Sequence, residues 1–134
     1  IAEQSKRYLE NDSIFIFFKT LESLRIENKL HTINTSKITN DTPKTDILYS
    51  DDYVWIESVN VFAKIKLACQ NEGISFDLSR QELYQKLESE KLLITKDNRR
   101  SYEYRKGQFR QSVICLPRNN LNRYLTYDKE DIKL

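Results

Sequence analysis

Two signals a few residues apart constrain this chain more than anything else in it. Gly73 stands where a helix running from about Ser58 to Glu72 needs a left-handed residue to stop, and Ser79-Arg80-Gln81-Glu82 is a capping box that starts the next helix. The box works because the serine hydroxyl and the glutamate carboxylate each satisfy an amide that the first helical turn leaves without a partner. Asn71 to Leu78 is therefore a tight connection, and the layout is helix-turn-helix. The earlier helix carries Val59, Phe62, Ile65 and Cys69 on one face; the later one, reaching to about Lys91, carries Leu83, Tyr84 and Leu87.

Other elements surround this pair. Ile14, Phe17, Phe18, Leu21 and Leu24 recur at three-to-four spacing and predict an amphipathic helix over about 13–30, with Asn11, Asp12 or Ser13 as its N-cap. The run Ile14 to Phe18 alone also reads as a buried strand, but the period continues too far into polar sequence for that. Leu30 to Thr35 alternates weakly, as a short strand does. Residues 36–52 are mostly Thr, Asn, Asp, Ser and Lys and read as an exposed, tolerant loop. Tyr53-Val54-Trp55-Ile56 is the strongest strand signal of the first half, and Leu92-Leu93-Ile94-Thr95 is another. Residues 100–116 form a hairpin: with Lys106-Gly107 as the loop, Tyr104 faces Phe109 and Glu103 faces Arg110. Val113 to Leu116 closes the strand and Pro117 stops it.

This order is that of an α+β fold, a winged helix-turn-helix with an N-terminal amphipathic helix and a C-terminal basic β-hairpin wing. We read one domain over 1–117, its wing over about 93–116, and a tail over 118–134 with a short helical piece around Leu121 to Leu125. The length of 134 residues suits one core, and eight tyrosines with six phenylalanines need somewhere to be buried.

Composition excludes several classes. Only Gly73 and Gly107 occur, so no Gly-rich phosphate loop or ATP site is expected, and no cofactor is implied. Cys69 and Cys115 have no paired spacing and read as reduced, packed thiols of a cytoplasmic protein. No apolar run approaches a membrane span, and no signal peptide opens the chain. Ile1-Ala2 with no methionine anywhere points to a piece of a longer polypeptide. His31 stands alone and Asp51-Asp52 adjoin in a turn, so no catalytic or metal constellation assembles, and the fragment reads as non-catalytic.

Charge points to a partner. Residues 91–124 carry nine Lys/Arg against two Asp/Glu, while residues 1–90 carry eleven against fifteen. The positives Lys96, Arg99, Arg100, Arg105 and Lys106 interleave with Tyr102, Tyr104 and Phe109, which suits a phosphate backbone with bases or sugars nearby; Arg110 is partly neutralised by Glu103. Edge protection of a hairpin is the plainer use of such charges, yet an arginine-rich +7 exceeds that need. On the later helix the exposed face displays Gln81, Glu82, Gln85, Lys86 and Ser89; the glutamines suit base edges, whereas Glu82 is unfavourable near phosphate unless its cap holds it. Tyr102 either stacks on single-stranded bases or packs the hairpin. DNA, duplex or fork, is the expected partner.

Residues 12–116 resemble the C-terminal region of replicative helicase/primase-type ATPases of phages, plasmids and staphylococcal mobile elements such as pathogenicity islands and resistance cassettes. The likeness rests on the helix from Ile14 to Leu30, on Tyr53-Val54-Trp55-Ile56 running into the helix from Ser58, and on Asn71-Glu72-Gly73-Ile74-Ser75. It continues through Glu88-Ser89-Glu90-Lys91-Leu92-Leu93-Ile94 and the hairpin from Tyr104 to Leu116. The resemblance implies a DNA-binding accessory domain that positions an upstream ATP-dependent helicase motor on origin or fork DNA. Its partners would include the remainder of that polypeptide, with oligomerisation through the parent ATPase. Open alternatives are a winged helix that docks protein, whether a ring subunit, primase or polymerase, and a transcriptional regulator.

Overall fold

The computed structural model describes residues 12–121 and Tyr124. Its first helix, α1 (Ser13–Ile26), begins where the Asp12 carboxylate accepts from the amides of Ile14 (2.8 Å) and Phe15 (3.4 Å), so the aspartate is the cap among the three candidates. Ile14, Phe17, Phe18, Leu21 and Leu24 are all buried, and the run from Ile14 to Phe18 is helix rather than strand. The helix ends before the expected residue 30 because Asn28 takes a left-handed φ of 61°, which asparagine tolerates.

Five strands form one sheet: β1 (Thr32–Asn34), β2 (Ile47–Tyr49), β3 (Tyr53–Glu57), β4 (Ser101–Lys106) and β5 (Phe109–Pro117), in the order β1-β2-β3-β5-β4. β1 and β2 are parallel and every other neighbouring pair is antiparallel. The expected exposed loop over 36–52 is corrected here, since Ile38, Ile47, Leu48 and Tyr49 are buried. A three-residue strand is too short to show alternation, and the polar residues around it hid it.

Between β3 and β4 lie α2 (Asn60–Asn71) and α3 (Arg80–Ser89). α2 has no side-chain cap at Val59; instead the Glu57 carboxylate accepts from the amides of Val59 (2.9 Å), Asn60 (2.5 Å) and Val61 (3.0 Å). Its buried stripe is Val61, Ile65 and Cys69, so the expected phase shifts: Val59 is 50% exposed, and Phe62 is partly buried with its ring 6.1 Å from Phe76. Gly73 ends it at φ +68°, and the Ser79/Glu82 capping box opens α3 with both reciprocal bonds made. Leu83, Tyr84 and Leu87 are buried. Tyr84 donates its hydroxyl to the Ser58 carbonyl (2.7 Å), and burial pushes that phenol up to about 12.

The expected strand at 92–95 reduces to one bridge, Ile94 to Cys115, with Leu92 and Leu93 anchored in the core. In the hairpin the loop is Gly107-Gln108, closed by Lys106 opposite Phe109, so Glu103 pairs with Ser112 and Tyr104 with Gln111. The expected register is therefore displaced by two residues. An even displacement keeps every side chain on its face. Tyr104 still meets Phe109 diagonally, with ring centroids 6.2 Å apart, and Arg110 still lies 3.9 Å from Glu103. Gly107 at φ +59° supplies the positive φ that the first position of a type II′ turn requires.

The fold is mixed α+β, with the helices against one face of the sheet. Ile47, Tyr49, Val54, Ile56, Ile114 and Leu116 point to the helices, while Leu48, Phe109 and Val113 point the other way and join Ile38, Trp55, Tyr102 and Tyr104 in a second cluster. The core also runs past 117: Leu121 is buried in a 3-10 turn (Arg118–Leu121), and Tyr124 stacks on Phe18 at 5.0 Å. Leu125, in the expected helical piece, lies outside the described residues. No helix among the described residues is long and apolar enough to cross a membrane. Both cysteines are buried and unbridged.

Candidate nucleic-acid interface

The expected contact residues divide between α3, the link that follows it, and the β4–β5 hairpin. Lys91 takes a left-handed φ of 60° and ends α3, and the Leu92 amide returns to the Leu87 carbonyl (2.8 Å). The chain then runs to a tight turn in which Lys96 and Arg99 exchange backbone hydrogen bonds of 3.0 and 2.9 Å. Asp97 (φ 52°) and Asn98 (φ 62°) are both left-handed, the signature of a type I′ turn. Adjacent Asp and Asn tolerate that conformation and are the sequence signal for this turn, which lies just beyond the strand expected over 92–95.

Around this turn the cations differ in what they touch. The Arg100 guanidinium donates from Nε (3.1 Å) and Nη2 (2.9 Å) to one oxygen of Glu88, tying the end of α3 to the start of β4. Lys96 Nζ lies 5.0 Å from the Tyr102 ring centroid. Arg99 has no carboxylate partner among the described residues. On α3, Gln81, Gln85 and Lys86 are exposed as expected. The Glu82 carboxyl is held below its usual range by hydrogen bonds from the Ser79 amide and hydroxyl, so it stays charged within its cap.

The hairpin tip is engaged internally. Glu103 takes Arg105 at 2.7 Å and has Arg110 at 3.9 Å, while Lys106 Nζ donates to the Thr35 carbonyl at 2.5 Å. The Asn40 side-chain oxygen accepts from the Gln108 amide (2.9 Å), and the Thr45 amide donates to Gln111 (2.8 Å). Segment 35–45 thus holds one side of the hairpin, a restraint that its polar composition did not reveal. Tyr102 accepts from the Trp55 indole (2.9 Å), and Tyr104 packs on Trp55 with centroids 5.1 Å apart, so both aromatics are engaged within the sheet's second cluster.

Charge is also balanced locally. An exposed ion pair contributes only on the order of 0–1 kcal/mol in water, but the carboxylates of Glu88 and Glu103 still offset the charge their arginines present to an anion. Among the described residues no carboxylate offsets Arg99 in this way. Among the described residues no group of three or more His, Cys, Asp or Glu is gathered as a metal site.

A separate concavity of about 580 Å³ opens between α1 and α2. Phe15, Ile16, Leu24, Leu67, Ala68 and Ile74 supply its apolar wall, and Leu67 (57% exposed) and Ile74 (39%) face outward. Lys19, Lys29 and Lys64 stand on the rim with Glu27 and Glu72. No protein-family model matches the chain, and no curated protein matches it either.

Proposed function

We propose that this is a winged-helix domain that contacts DNA through the junction of α3 and the hairpin, and that it serves as a non-catalytic accessory domain of a larger ATP-dependent replication helicase of a mobile element. The connectivity supports the fold reading: a strand (β3), two helices, then a hairpin whose second strand inserts beside the first, giving the local order β3-β5-β4. The observation that carries the DNA reading is the Lys96–Arg99 turn. It sets Arg99, which has no carboxylate partner among the described residues, beside Lys96 and Arg100 where the helix-turn-helix joins the hairpin. The wing, in this reading, contributes mainly from its base, because its tip cations are engaged within the chain. The helicase attachment rests on the sequence resemblance alone.

Fluorescence anisotropy with duplex, forked and single-stranded oligonucleotides over a salt series tests the reading. Arg99→Glu/Arg100→Glu is expected to weaken binding at least tenfold and to flatten the salt slope, with circular dichroism confirming the fold. Unchanged binding removes this junction from the mechanism.

A second reading, protein docking, is favoured by the concavity between α1 and α2, whose wall of Phe15, Ile16, Leu24, Leu67, Ala68 and Ile74 offers an apolar surface of the kind an amphipathic helix docks on. Leu67→Asp would then abolish capture of a ring subunit, primase or polymerase partner while leaving DNA affinity unchanged.

A further inference from the structure

β4 is the outermost strand of the sheet, so one side of its backbone has no strand beside it. A two-residue hairpin loop is closed by a hydrogen-bonded pair, here Lys106 and Phe109, and bonded pairs alternate along an antiparallel ladder. Lys106, Tyr104 and Tyr102 therefore bond to β5, while Ser101, Glu103 and Arg105 aim their N–H and C=O groups outward. The neighbouring bonds agree with this phase: Cys115 presents its carbonyl to Ile94 on the β4 side, and Ser112 presents its own to Ser58 on the β3 side. Among the described residues no hydrogen bond reaches the outward groups of Glu103 or Arg105.

The side chains on this edge are complementary to themselves. We infer that two copies of this chain pair antiparallel through β4, with Glu103 opposite Arg105 of the partner subunit and Tyr104 on the two-fold axis. In that register outward-facing residues meet as hydrogen-bonded pairs, which the ladder requires, and each carboxylate lies opposite an arginine. Tyr102 then falls opposite Lys106 of the partner subunit. The registers displaced by two residues to either side place Glu103 against Glu103 of the partner subunit, or Arg105 against Arg105 of the partner subunit, and both juxtapose like charges. Larger displacements leave half the strand or less in register, so among the registers that pair most of β4 charge selects this one.

Two six-residue edges bury well under the ~1,200 Å² of a standard interface, so the association is weak and concentration-dependent. It is independent of DNA and does not rest on the winged-helix reading. Sedimentation velocity of the full chain from about 10 to about 500 µM is expected to show a reversible monomer–dimer equilibrium in the micromolar-to-millimolar range. Arg105→Glu should weaken it at least tenfold, and Glu103→Arg/Arg105→Glu should restore it, since the swap preserves complementarity. Amide exchange adds a structural readout: the Glu103 and Arg105 amides should slow as concentration rises, with the Tyr104 amide, already bonded to β5, unchanged. A chain that stays monomeric throughout, a single charge reversal that associates as tightly as wild type, or a double swap that fails to recover while remaining folded would each overturn the pairing.

Discussion

The Trp55 indole donates to the Tyr102 hydroxyl across 2.9 Å and so joins β3 to β4 over the strand between them. Burial is the main reason that phenol is pushed up to about 12, and the half-buried ring is already engaged within the chain, with Lys96 Nζ 5.0 Å from its centroid. Tyr102→Phe leaves the indole N–H without this partner and should cost about 1 kcal/mol by chemical denaturation. Tyr102→Leu should cost more, yet its folded form should bind single-stranded oligonucleotide within about twofold of wild type, because stacking worth ~1–3 kcal/mol per base is not lost. A larger loss would return Tyr102 to the interface.

Strong local signals carried most of the fold. The stripe of α1, the Gly73 stop and the Ser79 capping box depend on contacts within a turn or two of chain, and each formed where the sequence put it. What was illegible depended on distant chain. Ile47 to Tyr49 is strand because β3 accepts it, and Glu57 caps α2 from the end of a strand, outside the usual capping position. The hairpin register moved by two because two diagonal contacts, Tyr104 with Phe109 and Glu103 with Arg110, resemble direct pairs when only spacing is available. In the candidate site, the charges were legible but their partners were not. Glu88 reaches Arg100 from another element, and Asn40 reaches the hairpin tip from a segment nearly seventy residues away.

Gly107 and Asn40 form a steric pair. A Cβ built on Gly107 would stand 2.3 Å from Asn40 Oδ1, at a φ of +59° that L residues resist. Gly107→Ala should therefore destabilise by about 2 kcal/mol or more, from backbone strain and the collision together. Asn40→Ala loses the bond to the Gln108 amide and should cost about 1 kcal/mol. In the double variant the collision is gone, so the sum of the single effects should exceed the measured double by roughly 1 kcal/mol. Strict additivity in urea denaturation would show that the clasp does not bear on the tip.

Alkali should weaken the fold through Tyr84. Its folded pKa of about 12 lies above the ordinary value of 10.0, because burial disfavours the phenolate. Between those values the unfolded chain loses this proton and the folded chain keeps it, so the stability is fully present below pH 10 and is lost as pH rises toward 12. The size is on the order of 2–3 kcal/mol for a buried group. Tyr84→Phe should be less stable at neutral pH, for want of its bond to Ser58, yet should show a shallower decline above pH 10. An identical decline would assign the alkaline transition to other groups.

Arg99 and Arg105 offer the sharpest contrast in the candidate interface. Both are exposed arginines, but Arg105 lies 2.7 Å from Glu103, whereas Arg99 has no carboxylate partner among the described residues. Each phosphate neutralised on duplex DNA contributes about −0.9 to the slope of log affinity against log salt. Arg99→Gln should therefore flatten the slope by about one unit, and Arg105→Gln should change it much less, because Glu103 already balances that charge. Glu103→Gln makes the reverse test. It releases Arg105, and with it Arg110, so the slope should steepen by about one to two units and affinity at low salt should rise. The measurement is anisotropy against a duplex at protein concentrations below self-association. If Arg99→Gln is silent while Arg105→Gln is not, phosphate displaces Glu103 during binding and the contact moves from the base of the hairpin to its tip.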